Sequence, residues 1–99
     1  MGVTMEEVID KVLDGLVEGL AEIEHRRWAH WQKYMHGKAL RLSDGSLILP
    51  AEFVARWEEQ IRTDYGNLEE KEKESDREQV RRYLPLIAEA LKATVLPGT

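Results

Sequence analysis

Hydrophobic positions recur every three or four residues over the first third of the chain, and this spacing predicts one long helix over residues 5–36. Thr4 and Glu7, three residues apart, form a capping pair that suits its start, and Gly37 suits the left-handed position that often ends a helix. Gly15 and Gly19 are expected to let another helix approach closely, to permit a bend, or to lie on a dimer contact. The predicted stripe consists of Ile9, Leu13, Leu16, Leu20, Ile23, Arg27, Trp31 and Tyr34.

The pattern changes after this helix. Short apolar runs on both sides of Ser43-Asp44-Gly45-Ser46 predict a β-hairpin over residues 40–49, because Asp-Gly between such runs favours a tight turn. Pro50 suits a first helical turn. An apolar face with Phe53, Val54, Trp57 and Ile61 then predicts a second helix from Ala51 to about Thr63.

A third helix is predicted from Leu68 or Glu69 to about Ala93, with Asn67 and Glu70 as a second capping pair. Its second half carries an apolar stripe of Val80, Leu84, Ile87 and Leu91. The expected fold is therefore mainly α: a small helical domain of three principal helices, with a short β-hairpin between helices 1 and 2. Residues 1–99 are expected to form a single domain whose residues 94–99 are a flexible tail.

Charge is distributed unevenly along the 99 residues. From His25 to Ser43 there is no acid, whereas Arg26, Arg27, Lys33, Lys38 and Arg41 are basic. The net charge of the whole chain is −5, and the other residues hold 9 basic against 19 acidic side chains, or −10. A basic, aromatic-rich segment on an acidic protein favours a compact anion over a long nucleic acid, whose phosphates the remaining surface would repel.

Several classes of function are disfavoured by composition. The chain has no cysteine, hence no disulfide framework, thiolate zinc site or thiol nucleophile. Its three histidines do not share a helix face as a zinc pair would, and it has no Gly-rich phosphate motif. We therefore expect no metal and no cofactor. An acidic start and the lack of an apolar run of about 20 residues favour a cytoplasmic protein without a membrane span.

Two motifs resemble a known family. The first is His25-Arg26-Arg27-Trp28-Ala29, and the second is Tyr65-Gly66-Asn67-Leu68-Glu69-Glu70-Lys71-Glu72-Lys73-Glu74-Ser75-Asp76-Arg77. Together they resemble the ryanodine receptor repeat, or RyR domain, over about half of the chain. The Gly-Trp-x-Tyr-Gly segment typical of the family is replaced by Tyr34-Met35-His36-Gly37, and the helix around Trp57 resembles an insertion.

The resemblance implies a small helical module without catalytic activity. Such repeats occur in pairs in large channels, where they make contacts between domains, and stand-alone bacterial or phage versions are associated with sensing nucleotide-derived signals. The chain resembles the stand-alone phage or prophage type. This leads to the prediction of a sponge or sensor for a small phosphate-bearing molecule.

The candidate ligand site combines both motifs with neighbouring charges. Aromatic rings could stack on a base and guanidinium groups could bind phosphates. The competing interpretations are that the tryptophans are core, that His25 donates a hydrogen bond to Asp76 or to a backbone carbonyl, and that Arg77 and Arg81 belong to a solvated charged face. The predicted site residues are His25, Arg27, Trp28, Trp31, Tyr65, Lys73, Asp76, Arg77 and Arg81.

The alternative function is a protein–protein interaction module or homodimer with no small ligand. In that interpretation Trp57, Phe53 and the face with Gly15 and Gly19 are buried against a second copy or another protein.

Overall fold

The computed structural model describes residues 2–95 and contains three α-helices, one two-stranded sheet and one 3₁₀ turn. The sheet is an antiparallel hairpin between the first and second helices. The predicted fold class is confirmed. In chain order the elements are α1 (Met5–Lys38), β1 (Leu40–Arg41), β2 (Leu47–Ile48), α2 (Ala51–Arg62), the 3₁₀ turn (Tyr65–Asn67) and α3 (Glu70–Val95).

Helix α1 begins with the predicted capping box. The backbone N–H of Glu7 donates to Thr4 Oγ1 at 3.1 Å, and the backbone N–H of Thr4 donates to Glu7 Oε2 at 3.4 Å. This satisfies two donors that a helix start leaves without partners. The prediction that Gly37 ends the helix in a left-handed conformation is wrong. Helix α1 continues through Gly37 to Lys38, and Gly45 is the glycine with positive φ among residues 2–95.

The hairpin pairs Leu40 with Ile48 and Arg41 with Leu47. In its turn the Gly45 backbone N–H donates to the Leu42 carbonyl at 3.0 Å, and φ of Gly45 is 90°. A residue with a Cβ is disfavoured at this φ, so the turn favours glycine at this position. The Asp-Gly pair therefore predicted the turn correctly.

Helix α2 ends one residue earlier than expected. The Thr63 hydroxyl donates to the Glu59 carbonyl at 2.6 Å, and the Thr63 backbone N–H donates to the Gln60 carbonyl at 3.2 Å. The predicted capping role of Asn67 is wrong, because Asn67 closes the 3₁₀ turn and α3 begins only at Glu70. A polar residue followed by an acid three positions on also fits a tight turn before a helix.

The contacts group the described residues into two compact units. Unit 1 is the described part of Met1–Arg26 with Arg77–Thr99, and unit 2 is Arg27–Asp76. Helices α1 and α3 each contribute to both units. That residues 1–99 form one domain stays a prediction.

Unit 1 is an antiparallel pair made from the first part of α1 and the last part of α3. Gly19 faces Leu86, and the Tyr83 hydroxyl donates to the Glu24 carboxylate. The later residue on α1, Glu24, contacts the earlier residue on α3, Tyr83, so the two helices are antiparallel. Leu16, with 7% of its surface exposed, is the buried core residue among residues 2–95.

Two residues of the predicted tail are helical. Thr94 and Val95 belong to α3, and the Thr94 hydroxyl donates to the Ala90 carbonyl at 2.9 Å. Residues 96–99 of the predicted tail lie outside the described residues. Within residues 2–95, no helix combines the length and the hydropathy that crossing a membrane requires.

Candidate functional site

The nine predicted site residues are distributed over both units. His25, Arg77 and Arg81 belong to unit 1. The other six, all in unit 2, are Arg27, Trp28, Trp31, Tyr65, Lys73 and Asp76. Unit 2 therefore contains all the aromatic residues of the predicted site.

Four aromatic rings of unit 2 form a cluster between α1 and α2, here called the aromatic cluster: Trp31, Tyr34, Phe53 and Trp57. The Trp31 and Tyr34 rings are stacked, with centroids 5.5 Å apart and planes inclined by 27°. Trp31 meets Trp57 edge to face at 5.4 Å and 70°, and Phe53 stacks on Trp57 at 5.8 Å and 29°. These distances lie in the range where aromatic pairs attract each other beyond simple burial.

Helical spacing explains why these rings meet. On α1, Trp31 and Tyr34 are three residues apart, and on α2, Phe53 and Trp57 are four residues apart, so each pair shares one face of its helix. Trp31 then joins the two pairs through its contact with Trp57.

The aromatic cluster is only partly covered. Phe53 and Trp57 are half-buried, whereas Trp31 and Tyr34 expose 41% and 40% of their surface. Trp28 is 56% exposed. Neither predicted site tryptophan is therefore a buried core residue, and the Trp31–Tyr34 stack offers ring surface to a molecule in solution.

A cation lies beside this ring surface. The Nζ atom of Lys38 is 5.4 Å from the centroid of the Tyr34 ring and 5.8 Å from that of Phe53. Both distances are within reach of a cation–π interaction. Arg27, Trp31, Tyr34 and Lys38 follow each other at steps of four, three and four, so they lie along one side of α1.

Two other predicted site residues of unit 2 are neighbours. Tyr65 in the 3₁₀ turn is 50% exposed, and Lys73 Nζ lies 5.8 Å from the centroid of its ring. The structure thus brings together Tyr65 and Lys73, which the RyR resemblance had placed in the site.

Unit 2 also contains a hollow of about 400 Å³ that the sequence did not indicate. Glu59, Glu69 and Glu72 line it together with Arg56 and Lys71. The Gln60 side-chain amide donates to Glu72 Oε1 at 3.1 Å there. Because acids outnumber bases around this hollow, it is a poor site for an anion.

Sequence reasoning missed Tyr34, Lys38, Phe53 and Trp57 as candidate site residues. Tyr34 and Lys38 could have been found by continuing the step of three or four from Trp31 along α1. The contact of α2 with this side of α1 has no signal in the sequence.

Groups of three or more histidine, aspartate or glutamate side chains placed to hold a metal ion do not occur within residues 2–95. Comparison of the chain with protein-family models, with curated proteins and with solved structures found no match.

Proposed function

We propose that the chain is a non-catalytic binding module that takes up a small phosphate-bearing molecule with a planar ring, such as a nucleotide-derived signal, on the aromatic cluster of unit 2. The observation that carries the proposal is the stack of Trp31 and Tyr34, about 40% exposed, with Lys38 5.4 Å from the Tyr34 centroid. A nucleobase or another planar ring would stack on the exposed aromatic surface, and the Lys38 ammonium would attract the phosphate.

Local charge supports an anionic ligand. No acidic residue occurs from His25 to Ser43, so the segment that carries Trp31, Tyr34 and Lys38 has only positive formal charges. The acidic remainder of the chain, at −10, disfavours long polyanions but costs little for a ligand that is smaller than the basic segment. This contrast is the reason for proposing a small anion.

The resemblance to the RyR domain supports the same class of function. On this proposal the chain belongs to the stand-alone bacterial or phage type, acts in the cytoplasm, and lowers or senses the free concentration of its ligand without converting it. The sponge role requires only tight binding and no reacting group.

Isothermal titration of the full chain with a panel of cyclic and linear nucleotides tests the proposal. At least one is expected to bind in the micromolar range or tighter, and chromatography after incubation is expected to recover it unchanged. Absence of heat from every member at high micromolar concentration would contradict binding of this ligand class, and a converted ligand would contradict the non-catalytic assignment.

A matched pair of lysine variants tests the location of the site. Lys38→Gln removes the cation beside the stack and should weaken binding about 10-fold to 100-fold, since a charge-assisted interaction contributes about 1.5–3 kcal/mol when well formed. Lys33→Gln is the control. Lys33 is on the same helix and in the same acid-free segment, but it lies about 140° around the helix axis from Lys38. Equal effects of the two substitutions would place the ligand elsewhere.

A further inference from the structure

One side of the helix pair in unit 1 exposes a row of large aliphatic side chains, here called the open face. Each of its six members exposes about half of its surface. They are Ile9 (50%), Leu13 (56%) and Val17 (56%) on α1, and Val80 (53%), Leu84 (51%) and Leu91 (50%) on α3.

Helix geometry places both rows on the same side of the pair. On α1, Leu16 and Gly19 face α3, and the apolar row lies about a quarter turn around the helix from them. On α3, Tyr83 and Leu86 face α1, and the apolar row again lies about a quarter turn away. Viewed from the N-terminus of each helix, both quarter turns run in the same direction. Because the helices are antiparallel, equal rotations bring the two rows to one common side.

The rows overlap in height at one end. With Gly19 opposite Leu86, Leu13 lies at about the height of Leu91, whereas Leu84 lies at about the height of Leu20, one turn beyond Val17. On α3 the apolar positions Val80, Leu84, Ile87 and Leu91 are spaced four, three and four, which is the spacing of a coiled-coil seam. Such a seam normally packs against further helices.

Charge along the two helices is complementary between copies. Residues 5–24 of α1 contain seven acids and one base, a net charge of −6, whereas residues 77–95 of α3 contain four bases and two acids, a net charge of +2. Two copies with α1 against α1 would bring like charges together. Two copies with α1 against α3 bring opposite charges together.

The open face is just large enough for a specific association. Residues 10–26 of α1 lie beside residues 79–95 of α3 over about 25 Å, and a helix pair is about 20 Å wide, so each copy offers a face of about 500 Å². Two such faces give about 1,000 Å², the least that a specific protein interface needs.

We propose that the occupant of the open face is a second copy of this chain, with α1 of each copy antiparallel to α3 of the other in a four-helix bundle. The two-fold axis then runs parallel to the helices, and the open faces of the two copies cover each other, with Leu13 of one copy at about the height of Leu91 of the other. Asp10 of one copy lies within about one helical turn of Lys92 of the other along this axis, both at the rim of the bundle. This association differs from the earlier dimer hypothesis, because Gly19 is occupied by Leu86 of its own chain and Phe53 and Trp57 belong to the aromatic cluster. It does not depend on anion binding.

Sedimentation equilibrium of the full chain over a range from about 1 to 500 μM tests the proposal. The expected result is a monomer–dimer equilibrium with a limiting mass of twice 11.5 kDa. Leu13→Gln keeps a good helix former and should raise the dimer Kd about 30-fold, because each dimer contains two copies of the lost contact. Ile61→Gln is the matched control: Ile61 is 81% exposed on α2, and its substitution should change Kd less than about 3-fold.

Charge reversal tests the arrangement of the helices. Asp10→Lys and Lys92→Asp should each weaken the dimer about 5-fold to 10-fold, and the double variant should recover most of the loss. Within one copy these residues point away from the facing helix, so recovery reports a contact between copies. Circular dichroism of each variant checks that the helices are intact.

A monomer at every concentration would overturn the proposal, and so would a dimer that Ile61→Gln weakens as much as Leu13→Gln. Single reversals without recovery in the double variant would overturn the antiparallel pairing of α1 with α3.

Discussion

Substitution of Gly15 and of Gly19 by alanine tests the packing in unit 1. The two glycines are four residues apart on one helix, but an added Cβ would contact Leu86 only at Gly19. A Cβ added at Gly15 has no atom within 4 Å. A Cβ added at Gly19 would lie 2.6 Å from Leu86 Cδ2 and 3.6 Å from Leu86 Cγ. Both substitutions to alanine bring the same gain in helix propensity, so their difference isolates the contact with Leu86.

These distances set the expected change in the free energy of unfolding for each variant. Replacing an interior helical glycine by alanine stabilises by about 0.8–1.0 kcal/mol. Gly15→Ala should therefore raise the free energy of unfolding by about 1 kcal/mol, or Tm by about 4–8 °C for a domain of this size. Overpacking costs about 1–3 kcal/mol, so Gly19→Ala should be neutral or destabilising by up to about 2 kcal/mol. The predicted gap between the two variants is about 1–3 kcal/mol.

Urea denaturation followed by circular dichroism at one fixed protein concentration measures this gap. A double-mutant cycle supplies the control: in a Leu86→Ala background, where the contacting atoms are removed, Gly19→Ala should stabilise as much as Gly15→Ala. Equal stabilisation by both substitutions in the natural background would show that Leu86 moves aside without cost and would refute the predicted gap.

Three further predictions concern the hairpin and a buried amide. Hydrogen bonds from the Ser46 backbone N–H and hydroxyl to the carboxylate lower the pKa of Asp44 from its ordinary value of 3.8. This stabilisation of the turn is present above that value and is lost as the pH falls through the lowered pKa, so the protection factors of the turn amides, corrected for the intrinsic pH dependence of exchange, should fall below about pH 3.8, and Asp44→Asn should abolish this change. Gly45→Ala should destabilise the turn by about 1–2 kcal/mol because φ is 90°, measured by amide exchange, whereas Gly37→Ala inside α1 should not. Gln79 Oε1 is buried without a hydrogen-bond partner among the described residues, so Gln79→Met should raise the free energy of unfolding by about 1 kcal/mol, and a loss of stability in urea would contradict this.

The fold could be predicted from the sequence because its elements depend on local signals. The step of three and four residues defined α1 from Ile9 to Tyr34, and Thr4 and Glu7 defined its start, since a capping box involves only residues of the first turn. Asp44 and Gly45 located the hairpin because the turn requires a positive φ. Helix ends were less predictable, and Gly37 shows why: glycine permits the left-handed conformation but does not impose it.

The candidate site depended on which helices meet, and periodicity does not contain that information. The stripe through Trp31 predicted a shared face on α1, but only the structure shows that Trp57 of α2 contacts Trp31 and that Phe53 stacks on Trp57. The open face is a second example. Ile9 and Leu13 continue the same stripe as Leu16, yet they remain half exposed while Leu16 is buried. Apolar spacing identifies a side that is suited to packing without indicating whether the partner is in the same chain.

Chemical-shift mapping of the indole N–H groups tests the central claim most directly, because the three tryptophans at positions 28, 31 and 57 report separately on the surface of unit 2. Titration of the ¹⁵N-labelled chain with the tightest-binding nucleotide is predicted to shift the Trp31 indole signal and the backbone signals of Tyr34 and Lys38 in proportion to occupancy. Saturable binding that leaves these signals unchanged, or that shifts only signals of unit 1, would contradict the account.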